Sequence, residues 1–224
     1  MRHFLRDNAL TLFFLALTGF ALVGQALSGH AEYNNQQITQ GGGTVSLLDY
    51  LTGSDFAVDV TENWQSEYLQ FFLYIFVTVW LIQRGSPESK EPGKQGTESD
   101  KDQRVGRHAG PNAPSWARAG GFRGALFSRS LGLTMGTLFL LSWLAQSVAG
   151  RAAYNAEQLA QRQDTISWHS YVTSADFWNR TMQNWQSEFL AIASMVALSI
   201  FLRQRGSPES KPVGSSHHAT GVEG

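Results

Sequence analysis

The chain has 224 residues, with 17 Lys and Arg against 18 Asp and Glu and a formal net charge of −1. That balance excludes a strongly basic nucleic-acid binder, and the absence of cysteine removes disulfide frameworks, thiolate metal sites and cysteine nucleophiles. The mean hydropathy of −0.20 averages short, intensely apolar stretches with long polar ones.

The first apolar stretch runs from about Ala9 to Leu27 without a charge, close to the roughly 20 residues a helix needs to cross a bilayer core. Arg2 and Arg6 before it and Ser28-Gly29 after it also fit a cleaved signal peptide. A stretch with the same length and flanks returns mid-chain at 131–148, where no signal peptide lies, so a retained helix is the expectation. This return is general. Tyr33-Asn34, Tyr50, Asp55-Phe56 and Asn63-Trp64-Gln65-Ser66-Glu67 all recur 121 positions later, as does Gln83-Arg84-Gly85-Ser86-Pro87-Glu88-Ser89-Lys90. The chain therefore divides into a first repeat, 1–90, and a second, 123–211.

After the first span, the amide-rich segment Asn34 to Gln40 ends in Gly41-Gly42-Gly43, a run that breaks regular structure. The second copy has Arg162-Gln163-Asp164 there, which argues against phosphate-loop chemistry. Val45, Leu47, Leu48 and Leu51, echoed by Ile166, Trp168, Tyr171 and Val172, predict a short amphipathic helix in each loop. Thr52-Gly53-Ser54-Asp55-Phe56 reads as its end and the start of the next turn.

Asn63 is suited to cap the second span, predicted over about 64–82, with Trp64 at the headgroup level and Glu67 one turn on, near the positive end of the helix. Its counterpart is predicted over about 185–202. Gln83-Arg84-Gly85-Ser86-Pro87 reads as the helix exit, with Arg84 reaching headgroups, Gly85 as a left-handed cap and Pro87 forbidding continuation. Glu88-Ser89-Lys90 is not needed for that, and its unchanged return at Glu209-Ser210-Lys211 fits either recent duplication, which the drift between the helices disfavours, or a cytoplasmic docking sequence. Residues 91–122 and the tail 212–224 are too polar to bury a core and read as a disordered linker and tail. His217-His218 invite a metal reading, but without a third ligand in fixed geometry a solvated tail is expected and no metal site is assigned.

The fold expected is an all-α membrane protein, with four transmembrane helices arranged as two parallel tandem repeats of a helical hairpin. Lys and Arg cluster at the outer flanks of each hairpin and are absent between Arg6 and Arg84, so both termini and the linker are expected on the cytoplasmic side. Gly132 with Gly136, and Ala193 with Ala197, form small-residue faces that fit a single bundle and equally a homodimer of bundles.

For Asn-Trp-Gln-Ser-Glu, the plainer assignment is a helix start with interface anchors at Trp64, Trp185, Arg84 and Arg205. The functional alternative is a polar site at the outer mouth of the bundle, in which Glu67 and Glu188 meet and are joined by Gln65, Gln186, Asp55 and Asp176. Such oxygen ligands suit a hard cation or a proton. No catalytic signature appears (no HExxH, GxSxG, phosphate loop or dinucleotide fingerprint), no cofactor is implied, and His3, His30, His108 and His169 have no counterparts across the repeat. An enzyme is therefore not expected.

At the two repeated motifs the chain resembles a bacterial family of small integral membrane proteins known only as a domain of unknown function. The resemblance rests on both halves, without the linker and tail, and implies a multi-pass protein of the bacterial inner membrane and no particular chemistry. The reading that follows is a structural or regulatory membrane protein engaging a protein partner through its cytoplasmic motifs or outer loops. The alternative is a small ion or proton channel or transporter with the paired glutamates at its outer mouth.

Overall fold

The computed structural model describes residues 2–223 (backbone alone at Arg2), and every regular element among them is helical. The helices are α1 (Arg2–Asp7), α2 (Ala9–Thr39), α3 (Leu47–Leu51), α4 (Ser54–Val77), α5 (Ser115–Ala119), α6 (Gly121–Phe127), α7 (Ser130–Ala160), α8 (Trp168–Val172) and α9 (Ala175–Phe201), with a 3-10 turn at Gly106–His108. The chain forms two compact units, Met1–Thr61 with Ala145–Val172 and Glu62–Leu144 with Thr173–Gly224.

All four long helices differ in extent from the apolar stretches that predict them. The helices α2 and α7 are each 31 residues long, about 46 Å at the helical rise, and continue for about three turns past the apolar run into polar sequence. Among the described residues these two are long and apolar enough to cross a membrane. The expected span at 64–82 falls in α4 only as far as Val77 and that at 185–202 falls in α9 as far as Phe201, and both helices begin about ten residues earlier, at Ser54 and Ala175. Polar, acidic first turns dilute both helices, and α4 stops at Val77, so neither reaches the same length of apolar helix. Asn63 and Asn184 are consequently interior residues and not caps. The start of α9 is capped instead by Ser174, whose hydroxyl accepts from the Phe177 amide. Glu67 and Glu188, lying more than ten residues inside their helices, are also too far along to gain from the helix N-terminus.

In the first unit, the residues that recur in sequence make recurring bonds. The Asn34 side chain grips the backbone of Val45, accepting from its N–H at 2.8 Å and donating to its C=O at 3.2 Å. Asn155 grips Ile166 in the same way, at 2.9 and 3.0 Å. Each pair of bonds satisfies backbone groups in a loop where no helix does so. The predicted amphipathic helices are present just beyond, as α3 and α8. Ser46 and Ser167 begin them, accepting from the amides of Asp49 and Ser170. The rings of Tyr50 and Tyr171, 5% and 1% exposed, lie over Gly29 and Gly150, with each phenol oxygen where a β-carbon would be. Tyr33 and Tyr154 pack on those rings at 5.6 and 5.8 Å between centroids.

The ends of α2 and α7 show why glycine in one copy and arginine in the other serve the same turn. Gly42 N–H donates to Gln37 C=O and Gly41 N–H to Ile38 C=O, the six-to-one and five-to-two bonds of a Schellman ending. Gln163 to Gln158 and Arg162 to Leu159 repeat both bonds. The motif needs a left-handed residue, supplied by Gly41 at φ +81° and by Arg162 at φ +59°. The geometry is thus retained where the glycine is not.

In the second unit, Gly136 on α7 admits the Phe72 ring of α4, whose Cδ2 would lie 3.1 Å from a β-carbon there. The Gly132–Gly136 face therefore packs, whereas Ala193 and Ala197 are exposed, so the second predicted face is not used within the chain. Trp143 stands at the centre of an aromatic cluster, about 6 Å from Phe177, Trp178 and Trp185. Residues 91–122 form turns and short helices, and Lys90 reaches the Gly96 carbonyl and the Glu98 carboxylate at 2.9 and 3.0 Å.

Because a left-handed arginine is disfavoured where glycine is not, Arg162→Gly should stabilise the protein by roughly 1 kcal/mol, read as a raised thermal midpoint. The reverse change, Gly41→Arg, should lower it.

Candidate functional site

The six residues of the expected outer polar site fall in both units. Asp55 belongs to the first, while Gln65, Glu67, Asp176, Gln186 and Glu188 belong to the second. Within the second unit Glu67 and Glu188 come near enough for the charge of one to act on the other. Glu67 is nevertheless exposed. Asp176 is engaged by Arg180, which also bonds Glu62 at 3.1 Å. Arg180 thus brings a positive charge into what would be an acid cluster. Among the described residues no group of three or more metal-ligating side chains is gathered.

The two copies of Asn-Trp-Gln-Ser-Glu also differ in environment. Gln65 is fully buried and accepts a hydrogen bond from the Trp185 indole N–H at 2.8 Å, while Gln186 is exposed. Trp185 is therefore tied to the interior of its unit, and only Trp64, 46% exposed, keeps a free face as an anchor would. The serines do agree, Ser66 and Ser187 each bonding the carbonyl three residues back.

The richest polar construction lies past α4 and α9, in the two copies of Gln-Arg-Gly-Ser-Pro-Glu-Ser-Lys. Each copy is closed by its second serine. The Ser89 hydroxyl accepts the Gln83 amide at 2.8 Å, and Ser210 accepts that of Gln204 at 2.9 Å. Each is tightened by a turn from the amide of its first serine to the glutamine carbonyl, Ser86 to Gln83 and Ser207 to Gln204. Gly85 and Gly206 take the left-handed conformation at φ +91° and +81°. They do so inside this turn, several residues after the helices have ended, so neither is the helix cap the sequence suggested.

The lysines explain the last position of the motif. Each folds the following segment back on the helix that precedes it. Lys90 holds Gly96, whose N–H donates to the Val79 carbonyl at 2.7 Å. Lys211 is 1% exposed and donates to the carbonyls of Gly85, Ser216, His217 and Ala219 at 2.5 to 3.3 Å. The His217 ring nitrogen then lies 3.1 Å from the Ile200 carbonyl, the counterpart of Val79. Burial and the nearby Arg203 push the Lys211 ammonium below the ordinary lysine value, but four carbonyl dipoles aimed at it favour the charged form. The tail, expected to be disordered, is thus wrapped on this ammonium. Sequence reading missed Lys211 because nothing local distinguishes a buried lysine; its return at the same place in both motifs was the available sign.

Between the motifs, Glu88 accepts from the Tyr74 hydroxyl and lies against Glu209. The hydrogen bond and charge of Glu88, with burial and Glu223 adding less, hold the Glu209 carboxyl above the usual carboxylate range. Arg84 and Arg205 are both exposed.

These features define a class, an all-helical protein with two helices able to cross a membrane and its most elaborate polar architecture just beyond the ends of the other two long helices. Within that class the chain belongs to the family described as a domain of unknown function (DUF6766), which matches it over residues 1–222. The match runs through residues 91–122 and most of the tail, which the resemblance at the motifs left out. Comparison with curated proteins and with solved structures returned no match.

Two outcomes follow from the motif geometry. A β-carbon on Gly85 would lie 2.5 Å from the His217 carbonyl oxygen, whereas one on Gly206 would meet open space. Both alanine substitutions strain a left-handed residue, so Gly85→Ala should lower the thermal midpoint more than Gly206→Ala and release the tail to protease. For Glu209, a folded-state value raised above the unfolded one means the native state binds its proton more tightly, so stability falls as pH rises through that range. The Glu209→Gln variant should lose this component, and its thermal midpoint relative to wild type should be more favourable at pH 8 than at pH 5.

Proposed function

We propose that this is a multi-pass protein of the bacterial inner membrane, not an enzyme, acting in a structural or regulatory role through a protein partner. In this reading four helices span the bilayer as two parallel hairpin repeats, and the termini, linker and octapeptide motifs lie on the cytoplasmic side.

The observation that carries it is an inverted distribution of side chains. No residue of α2 is buried, and Leu10, Phe13, Phe14, Leu15, Phe20, Val23 and Leu27 all stand exposed along it. The fully buried large side chains include Gln65, Gln146, Thr181 and Lys211. Water would oppose so continuous an apolar face, and a hydrocarbon solvent favours it. The same logic extends to α4 and α9, where Phe71 and Phe76, and Leu190, Leu198 and Phe201, are exposed.

The hydroxyls along these helices favour a partner-binding role over conduction. Those of Thr78, Thr137 and Ser199 bond carbonyls of their own helices, so they do not form a continuous polar path. The elaborated octapeptide structures, with Arg84 and Arg205 exposed on them, are instead the places with recognisable chemistry.

The test uses the natural absence of cysteine. The protein should stay in membranes after alkaline carbonate washing and require detergent for release. Single cysteines at Gly43 and Asp164 should be labelled from outside the cell, and one at Asp102 only after permeabilisation. Release without detergent, or labelling of all three from the same side, would reject the topology. In proteoliposomes, a Glu67→Gln, Glu188→Gln double variant should show the same ion and proton flux as wild type, and a carboxylate-dependent flux would overturn the partner-binding role.

A further inference from the structure

The two octapeptides have one sequence and two environments. In the first, Ser86 and Pro87 are fully buried. In the second, the equivalent Gly206 and Pro208 are exposed and Ser207 is half-buried. The cover on the first copy is the chain's own tail. Thr220 Oγ1 accepts the Gly85 N–H at 2.8 Å, and Gly221 N–H donates to the Ser86 carbonyl at 3.0 Å. A hydroxyl residue followed by glycine therefore reads the two backbone groups that the left-handed turn presents.

The second copy presents the equivalent Gly206 N–H in the same turn. Its turn is closed by the same Ser207 to Gln204 and Ser210 to Gln204 bonds, with Gly206 in the same conformation. Among the described residues, nothing bonds the Gly206 N–H, while the Ser207 carbonyl accepts the Ser210 amide at 3.2 Å and keeps a second lone pair for a further donor. A cleft of about 310 Å3, lined by Gln204, Arg205, Gly206, Lys211, Pro212 and Val213, opens beside them. The Arg205 side chain at its edge is exposed and, among the described residues, pairs with no carboxylate.

We propose that the second octapeptide is a peptide-docking site, which takes an extended segment of a partner protein with a Thr-Gly or Ser-Gly step followed closely by an acid. The first copy supplies the Thr-Gly chemistry, through Thr220 and Gly221 on its own turn. Arg205 supplies the preference for the acid through charge complementarity. A second copy of this chain is a poorer source, because lending its tail would uncover its own Gly85. The proposal rests on the partner-binding role given above and names the surface and the partner's chemistry.

The experiment measures anisotropy of a labelled peptide, His-His-Ala-Thr-Gly-Val-Glu, added to the full-length protein in detergent. Saturable binding at one peptide per chain is expected. Replacing the peptide's Thr by Val, or introducing Arg205→Glu, should each weaken it by about tenfold, while Arg84→Glu leaves it unchanged. Matching thermal midpoints confirm that the variants are folded. Absence of saturable binding would overturn the proposal, as would sensitivity to Arg84→Glu instead of Arg205→Glu, which marks exchange with the tail at the first copy. If the peptide fails to bind while the protein still resists carbonate extraction, the docking site is rejected and the membrane reading survives.

Discussion

Every long helix in this protein must stop, and each stop frees backbone groups that have to find partners. That requirement organises the chain more tightly than its hydrophobic packing does. Past α2 and α7 the answer is a left-handed residue with two backward bonds, while an asparagine in the last turns of the helix grips a loop residue by both its N–H and its C=O. Past α4 and α9 the answer is a serine hydroxyl on a glutamine amide, and a lysine that folds the next segment back towards the helix end. Each such bond contributes about 1 kcal/mol net, but leaving its buried partner unmet would cost more.

This accounts for which residues are shared between the halves. The recurring positions are largely those whose side chains meet the backbone, or whose small size lets a ring approach it. Asn34 and Asn155, Ser89 and Ser210, and Gly29 and Gly150 under their tyrosines belong to this set. The helices between them need only be apolar outward, and there the halves have drifted. Identity in sequence thus follows directional bonds, while lipid-like or packing surfaces tolerate any large apolar side chain.

The helical class, the short helices α3 and α8, and the break after Gln40 were legible because each has a local signature of period, cap or glycine. Helix lengths were not. Apolarity marks where a helix prefers an apolar environment, but α2 and α7 run on for turns through polar sequence, and α4 and α9 begin well before their apolar runs. Asn63 looked like a cap because polar sequence gave way to apolar sequence there, and that boundary concerns solvent preference, not backbone conformation. For the candidate site, the proximity of Glu67 to Glu188 was suggested by the equal spacing of the motifs. The burial of Gln65 beside an exposed Gln186 was not, since it depends on which neighbours each copy happens to meet.

A chain that carries one segment twice faces a difficulty wherever a residue approaches its own counterpart. Complementarity of charge is impossible there, because like meets like. Glu88 and Glu209 show the unresolved case, two acids held together with one carboxyl disfavoured as an anion. Position 180 shows how divergence resolves charge crowding. The first half has an acid at Asp59, whereas the second has Arg180, which joins Glu62 and Asp176. Such asymmetry is open only to a fused pair. Two separate identical subunits would have to change both positions together, whereas this chain can assign opposite charges to the two copies one substitution at a time.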